Sequence, residues 1–176
     1  RVPVVIVGRR INVDSFSNVA TDNYLAGVMA GEYLGSIGHK RVATVTGPRI
    51  TQWARDRLDG LRDGLAKYQG QYSQTDLPDF ETGLAACDAL MADYAGRALP
   101  TAIWAQNDII AAAVLKSLTN QGYRVPEDIS LLGMDDIQLC TMVTPMLSTN
   151  RCARSRRSLS ALSWKTSRAP SRSPAA

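Results

Sequence analysis

Short apolar runs alternate along the chain with longer segments in which apolar residues recur every three or four positions. The short runs predict buried strands, and the longer segments predict amphipathic helices. The predicted strands lie at 2–8, 41–47, 70–77, 101–105 and 129–134. The predicted helices run from about Asp22 to a stop signal at Gly38, from about 52 to 68, from 81 to 95, and from 109 to 121.

Three of the predicted helices have a well-marked apolar side that we expect to face a core. The inward residues are Val28, Met29, Tyr33, Leu34 and Ile37 on the first helix, Ala54, Leu58, Leu61, Leu65 and Tyr68 on the second, and Leu84, Cys87, Met91 and Tyr94 on the third. Strands and helices that alternate in this way are typical of the α/β class. We therefore predict a parallel sheet with helices on both faces.

The positive charge is concentrated at one end of the chain. Residues 151–176 contain six Arg, one Lys and no acidic residue, and they lack an apolar period. The net charge of +4 less these seven charges leaves −3 on residues 1–150. The predicted globular part is thus mildly acidic and does not have the basic face of a folded nucleic-acid-binding domain. We expect the basic segment to be disordered.

The cysteine and histidine content limits which disulfides, metal sites and catalytic groups the chain can form. The cysteines, Cys87, Cys140 and Cys152, lack close pairing or metal-like spacing, and His39 is the only histidine. We therefore expect a reducing, cytoplasmic location and neither a disulfide framework nor a metal site. Ser-His or Cys-His catalysis is poorly provided for, so we assign no catalytic residue and no cofactor. No apolar stretch reaches the length of a membrane span, and we expect no membrane partner.

Polar and aromatic residues follow the predicted strands. In an open parallel sheet, ligands bind beyond the carboxyl ends of the strands. The residues expected at that rim are Trp53, Arg57, Phe80, Asn107, Asp135 and Asp136. Such a set suits a small ligand that carries hydroxyls or amides.

Alternatives remain open for each of these residues. Asp108 can cap the helix that follows it, which leaves Asn107 without that role, although Asn107 could satisfy backbone groups at the turn. Arg57 borders an apolar stripe and could be either a rim residue or a solvated arginine. The aspartates at 135 and 136 could cap a turn, Phe80 could be a core residue, and Trp53 could be a partly buried packing residue.

Six segments resemble the effector-binding core of lactose-repressor (LacI/GalR) type transcription regulators. They are VPVVIVGRR, ATDNYLAGVMAGEYLGSIGHKRVATVTGP, ARDRLDGLRDGL, DFETGLAACDALM, PTAIWAQNDIIAAAVLKSL and GYRVPEDISLLGMDDIQLCTMVTPMLST. The resemblance implies a two-lobed, periplasmic-binding-protein-like fold, a ligand in the interlobe cleft and a homodimer. It places Arg57, Phe80, Asn107 and Asp135 on cleft-lining positions, with Trp53 as a looser match.

The same resemblance implies a division of the chain. Residues 1–21 would be a remnant of the first lobe and the crossover, 22–147 the second ligand-binding lobe, and 148–176 the basic tail. DNA would be bound only through an N-terminal helix-turn-helix that this chain does not contain. We expect the departures from the family pattern at both ends to reflect truncation or a frameshift.

The function expected from these features is the sensing of a small, sugar-like effector in a transcription regulator. One alternative keeps the fold but makes the protein a periplasmic-type solute-binding protein for sugars. Another is a hydrolase that uses Asp135 or Asp136 with a second carboxylate.

Overall fold

The computed structural model describes residues 4–8, 17–46, 51–76, 83–135, 137–138 and 142, with the backbone alone for 71–76. These residues fall into two compact units. The first unit contains residues 4–8 and 17–22, and the second contains the described residues from Asn23 onward. The basic segment predicted to be disordered lies outside the described residues, as do Phe80 and Asp136.

The first unit contains two short parallel strands, β1 (Val5–Val7) and β2 (Ser17–Val19), which pair with Val5 opposite Ser17. The prediction that the first apolar run is buried is wrong for the described residues, because Val5 is 57% exposed and Val7 is 71% exposed. Among the described residues β1 pairs only with β2, and so small a sheet cannot cover both of its faces.

The second unit alternates helices and strands. In chain order these are α1 (Asn23–Ser36), β3 (Arg41–Thr46), α2 (Gln52–Ala66), β4 (Gln71–Asp76), α3 (Gly83–Asp93), β5 (Ala102–Ala105), α4 (Asp108–Asn120) and β6 (Ser130–Leu132). The strands form a wholly parallel sheet in the order β4-β3-β5-β6. The predicted α/β class is therefore confirmed.

Alternate side chains of the central strands enter two separate cores. Val42, Ala102 and Trp104 pack on one face against α1 and α2, together with Leu34, Leu61 and Leu65. Ala43, Val45, Ile103 and Ala105 pack on the other face against α3 and α4. Successive residues of a strand point to opposite faces, so both faces of the sheet are covered, as the near-continuous apolar strands predicted.

The predicted inward face of α1 is partly wrong. Leu34 is buried and Tyr33 packs against the core as expected, and Val28 and Met29 are partly buried, but small residues make up most of the buried face. Its buried residues are Ala26, Gly27, Ala30, Gly31, Leu34 and Gly35, whereas Ile37 lies beyond the helix end and is 54% exposed. The reason is the unusually close approach of α2. A Cβ added at Gly27 would lie 2.1 Å from the Arg57 carbonyl oxygen, and one at Gly60 would lie 2.0 Å from that of Tyr24. Small residues face α2 because larger ones would not fit.

A similar correction applies to α3. Cys87 and Met91 are buried and Tyr94 packs against the core, as expected, but Leu84 is 43% exposed. Gly83 takes the inward position instead, and a Cβ placed there would lie 2.6 Å from the Ala113 side chain on α4. On α2, the predicted stripe is buried from Ala54 to Leu65, but Tyr68 lies beyond the helix end and is 38% exposed.

The contact between α1 and α2 predicts an unusual response to substitution. Replacing glycine by alanine inside a helix normally stabilises it by roughly 0.5–1 kcal/mol. We expect Gly60→Ala instead to lower the free energy of unfolding by about 1–3 kcal/mol, because the new methyl group collides with backbone that cannot rotate away. Urea unfolding followed by circular dichroism measures this change. Asp59→Ala, on the exposed side of the same helix, should change it by less than about 0.5 kcal/mol, and equal effects of the two substitutions would contradict the prediction.

Candidate functional site

The candidate site lies where the order of the strands reverses direction. The chain passes from β3 outward to β4, then crosses back to β5 on the other side of β3. In parallel sheets such a reversal leaves a crevice at the carboxyl ends of the two strands concerned. Here α2 follows β3, and Gln106 and Asn107 follow β5, so polar residues from both segments meet at this point.

Arg57 is the centre of the site. It lies in the second turn of α2 and is partly buried. Its Nε donates a hydrogen bond of 2.9 Å to Oδ1 of Asn23, the first residue of α1. Its Nη1 donates to the backbone carbonyl of Gln106, directly after β5. Arg57 is therefore not a solvated surface arginine, because both helices and the end of a central strand hold its guanidinium in place.

Trp53 lies one turn before Arg57 on the same helix. The Arg57 guanidinium carbon stands 5.2 Å from the centroid of the Trp53 ring, within the range of a cation–π interaction. Trp53 is partly buried. Trp53 thus belongs to the site because its ring contacts Arg57. Its partial burial also fits the alternative that it is a packing residue, and the two roles do not exclude each other.

Asp135 follows β6 and brings a negative charge towards Arg57. Its backbone has φ of 114°, in the left-handed region that residues other than glycine seldom adopt. Loss of water around its carboxyl raises the pKa of Asp135, the Arg57 guanidinium opposes this rise, and the Asp108 carboxylate adds to it. Burial in turn lowers the pKa of Arg57, which the charge of Asp135 counteracts. The opposite charges of Arg57 and Asp135 therefore act on each other at the rim.

The capping role that the sequence suggested for Asp108 belongs to Asn107, which satisfies a backbone group at the turn as one of the alternatives predicted. Asn107 caps α4, because its Oδ1 accepts a 2.7 Å hydrogen bond from the backbone N–H of Ile110. Asp108 is the first helical residue, is fully buried, and accepts a hydrogen bond of 2.9 Å from the backbone N–H of Ile137. Asn and Asp are both strong caps, so composition alone could not decide between them. The cap uses Oδ1 of Asn107, and among the described residues its Nδ2 group, a hydrogen-bond donor, has no acceptor.

Reasoning from the sequence missed Asn23 and Gln106 as parts of the site. Gln106 is fully buried, its carbonyl accepts from Arg57, and its Nε2 lies 3.4 Å from the carbonyl of Ala54. Their positions could have indicated a role in the site, since Asn23 lies at the start of a predicted helix and Gln106 directly follows a predicted strand. Phe80 and Asp136 stay predictions because both lie outside the described residues.

The site provides hydrogen-bonding groups of both kinds. Arg57 and Asn107 are donors, and the ionised carboxylate of Asp135 is an acceptor. The described part of the chain holds no cluster of three or more His, Cys, Asp or Glu side chains arranged to bind a metal ion. Within that part, no helix combines the length and apolar character that a bilayer span needs. The arrangement suits a neutral, polyhydroxylated ligand, whose hydroxyl groups both donate and accept.

The chain is similar to known proteins in both sequence and structure. The model of the periplasmic binding protein-like domain family matches residues 32–156. The ribose operon repressor of Escherichia coli is 34% identical over 141 residues, which cover 77% of this chain and 42% of the repressor. The chain thus spans less than half the length of this relative.

Two solved structures extend the comparison to complexes with sugars. A complex of the transcriptional regulator CelR with cellobiose has a TM-score of 0.69 and 31% identity, and the match covers 83% of this chain and 46% of that chain. A LacI family regulator from Enterococcus faecium with bound ribose has a TM-score of 0.69 and 26% identity, over 82% of this chain and 54% of that chain. The resemblance noted in the sequence is confirmed: the chain belongs to the periplasmic binding protein-like domain family and is a LacI-type member of it.

Proposed function

We propose that this domain binds a small carbohydrate effector at the carboxyl edge of its four-stranded sheet, as the ligand-sensing part of a LacI-type transcriptional regulator. The observation that carries the proposal is the placement of Arg57. Its guanidinium is fixed by Asn23 and Gln106 at the reversal point of the sheet, beside Asp135. A donor whose orientation is fixed before the ligand arrives loses little conformational freedom on binding.

The hydrogen-bonding chemistry of Arg57, Asn107 and Asp135 matches that of sugar hydroxyl groups. Arg57 and the Nδ2 group of Asn107 would donate to hydroxyl oxygens, and the Asp135 carboxylate would accept a hydroxyl proton. Hydrogen bonds to charged groups are stronger than those between neutral groups, so Arg57 and Asp135 would contribute most. The tryptophan ring beside Arg57 adds an apolar surface of the kind common in ligand sites.

Two observations favour a sensor over the alternatives drawn from the sequence. The relative and structures described above carry the names of repressors or regulators, which supports a regulator over a solute carrier. A hydrolase would need a second carboxylate within reach of the substrate. Of the described residues, Asp108 is the carboxylate whose charge acts on Asp135, and its full burial keeps it from a substrate.

The proposal extends to the assembly of the intact regulator. Leu84 and Ile109 are 43% and 58% exposed, in the first turns of α3 and α4. These turns adjoin, because Gly83 lies against Ile110 and Ala113. An exposed apolar surface of this kind supports a homodimer formed through α3 and α4. DNA would be bound by a helix-turn-helix of the intact regulator, and not by the described residues.

Replacing Arg57 tests the site directly. Because the effector is unidentified, the probes are D-ribose, cellobiose and a panel of pentoses, hexoses and disaccharides, titrated by calorimetry. We expect Arg57→Ala to weaken binding of whichever sugar the parent binds by about 1.5–3 kcal/mol, roughly 10- to 150-fold. Arg57→Lys keeps the charge but not the planar fork, and it should recover less than half of that loss.

The matched control is Arg55→Ala, an exposed arginine on the same helix, which should leave affinity unchanged. Thermal unfolding of each variant separates affinity from stability, because Arg57→Ala also removes two internal hydrogen bonds. Parent-like affinity in Arg57→Ala would place the sugar elsewhere. Failure of the parent to bind any sugar of the panel would refute the proposed ligand class.

The raised pKa of Asp135 predicts how binding depends on pH. The ionised carboxylate accepts a hydrogen bond from a ligand hydroxyl more strongly than the protonated acid does, so affinity should be constant at neutral pH and fall as the pH drops through the pKa of Asp135. Because that pKa is raised, the fall should begin at a higher pH than for an ordinary aspartate. Titrations between pH 7 and pH 4 measure it. Asp135→Asn should bind more weakly and lose this dependence, and an unchanged pH profile in that variant would exclude Asp135 as the group responsible.

The proposed dimer predicts the outcome of a charge placed on its surface. Ile109→Glu should shift the chain from dimer to monomer in sedimentation velocity, because a carboxylate cannot be buried unpaired in an apolar interface. Its melting temperature as a monomer should be close to that of the parent at equally low concentration. Lys40→Glu introduces the same residue at an exposed position between α1 and β3 and should leave the dimer intact. A dimer that persists in Ile109→Glu would show that this surface is not the interface.

A further inference from the structure

Asp108 is a buried carboxylate that has a single hydrogen-bond partner among the described residues. It has no exposed surface, and the partner is the backbone N–H of Ile137, which lies 29 residues further along the chain. Its other oxygen, Oδ1, is buried and accepts no hydrogen bond from the part of the chain that the structure describes. The position at the start of α4 favours a negative charge, since the helix dipole is positive there.

Stability alone does not account for this carboxylate. The helix is already capped by Asn107, so capping does not require Asp108. A buried acceptor without a partner costs free energy, so a carboxylate with an unsatisfied oxygen is a poor choice for stability alone. Besides the favourable helix dipole, the carboxylate has its hydrogen bond to Ile137, which connects the first turn of α4 to the segment that follows β6.

The segment after β6 needs an external anchor. Asp135 adopts the left-handed backbone conformation, with φ of 114°. Such a conformation in a residue other than glycine persists only where the surroundings hold it. Ile137 lies two residues further on, and its N–H is the group that Asp108 accepts from. The anchor and the unusual backbone therefore lie in the same short segment.

We propose that Asp108 is a positioning residue for the ligand site: by holding Ile137 against the start of α4, its buried carboxylate keeps the Asp135 carboxylate within electrostatic range of the Arg57 guanidinium. In its ligand-binding part this inference rests on the proposed function. Asp108 does not touch the ligand itself, because no part of it reaches the surface. It acts through the backbone at Ile137.

The charge of Asp108 provides a second indication that Asp108 and Asp135 lie close together. It acts on the Asp135 carboxyl and raises the pKa of that group, against the opposite effect of Arg57. Removing the charge without changing the shape of the side chain should therefore lower the pKa of Asp135. This shift depends on the distance between the two carboxyls and can be measured without any ligand.

The test compares Asp108→Asn and Asp108→Ala in the full chain. Amide hydrogen exchange at Ile137 should become at least about tenfold faster in Asp108→Ala, relative to the core amides of β5, because its acceptor is gone. In Asp108→Asn the side-chain oxygen still accepts, so the exchange rate should stay within about threefold of the parent. In the same variant, carbon-13 titration of the Asp135 carboxyl should give a lower pKa than in the parent.

The matched control is Ser117→Ala on the same helix. Ser117 is also buried, and it donates a 2.6 Å hydrogen bond to Asp88. Its replacement should lower overall stability while leaving the relative exchange rate of Ile137 and the titration of Asp135 unchanged. Should Asp108→Ala fail to fold, Asp108→Asn still tests the proposal through the pKa of Asp135. The proposal is overturned if Ile137 exchanges as in Ser117→Ala, or if the pKa of Asp135 does not fall in Asp108→Asn.

Calorimetric titration with the sugar panel separates this inference from the proposed function. If the parent binds a sugar, we expect Asp108→Ala to bind it about tenfold more weakly and Asp108→Asn to bind within about threefold of the parent. Equal binding by the parent and by Asp108→Ala, with Ile137 released, would refute the positioning role in ligand binding. If the parent binds no sugar while Ile137 and Asp135 respond as expected, the carbohydrate function fails and the placement of Asp135 by Asp108 stands.

Discussion

The direct contact between the backbones of α1 and α2 is the constraint on which the site depends. Gly27 on α1 lies against the carbonyl of Arg57 itself, so even a methyl group at that position would displace the residue at the centre of the site. One turn earlier on α1, Asn23 accepts a hydrogen bond from the Arg57 side chain. Both the main chain and the side chain of Arg57 are thus positioned by contacts with α1. The glycines provide the fit, and the asparagine provides the direction of the guanidinium.

The three charged residues of the site differ in how deeply they are buried. Asp108 is fully buried, Arg57 is partly buried, and Asp135 stands exposed at the rim. The guanidinium opposes the rise in the pKa of Asp135, while the buried carboxylate adds to it. A surface that presents one positive and one negative group side by side has little net attraction for ions. It can still orient a neutral molecule that has several hydroxyls, because each charged group forms stronger hydrogen bonds than a neutral one.

The order of elements was predictable from the sequence, because strands buried on both faces read as continuous apolar runs and α2 has a regular apolar stripe. The rim was predictable as well, since parallel strands bring the residues that follow them to one edge. The inward face of α1 was not predictable, because a preference for large apolar residues points to Ile37, whereas the contact selects Gly27 and Gly31. The position of Asp108, inside the helix and not at its cap, was also not predictable. It depends on the partner at Ile137, which is distant in the sequence. Whether Phe80 lies at the site remains a prediction.

The glycine contact between α1 and α2 also governs how these helices can move. Sliding of packed helices past one another relies on side chains that change rotamer as the interface shifts. Where the backbone of one helix rests on that of the other, as at Gly27, Gly31, Gly60 and Gly64, there is no such layer to rearrange. The pair must therefore rotate or translate as a single block. Asn23, which accepts a hydrogen bond from the Arg57 guanidinium, begins α1 and belongs to this block.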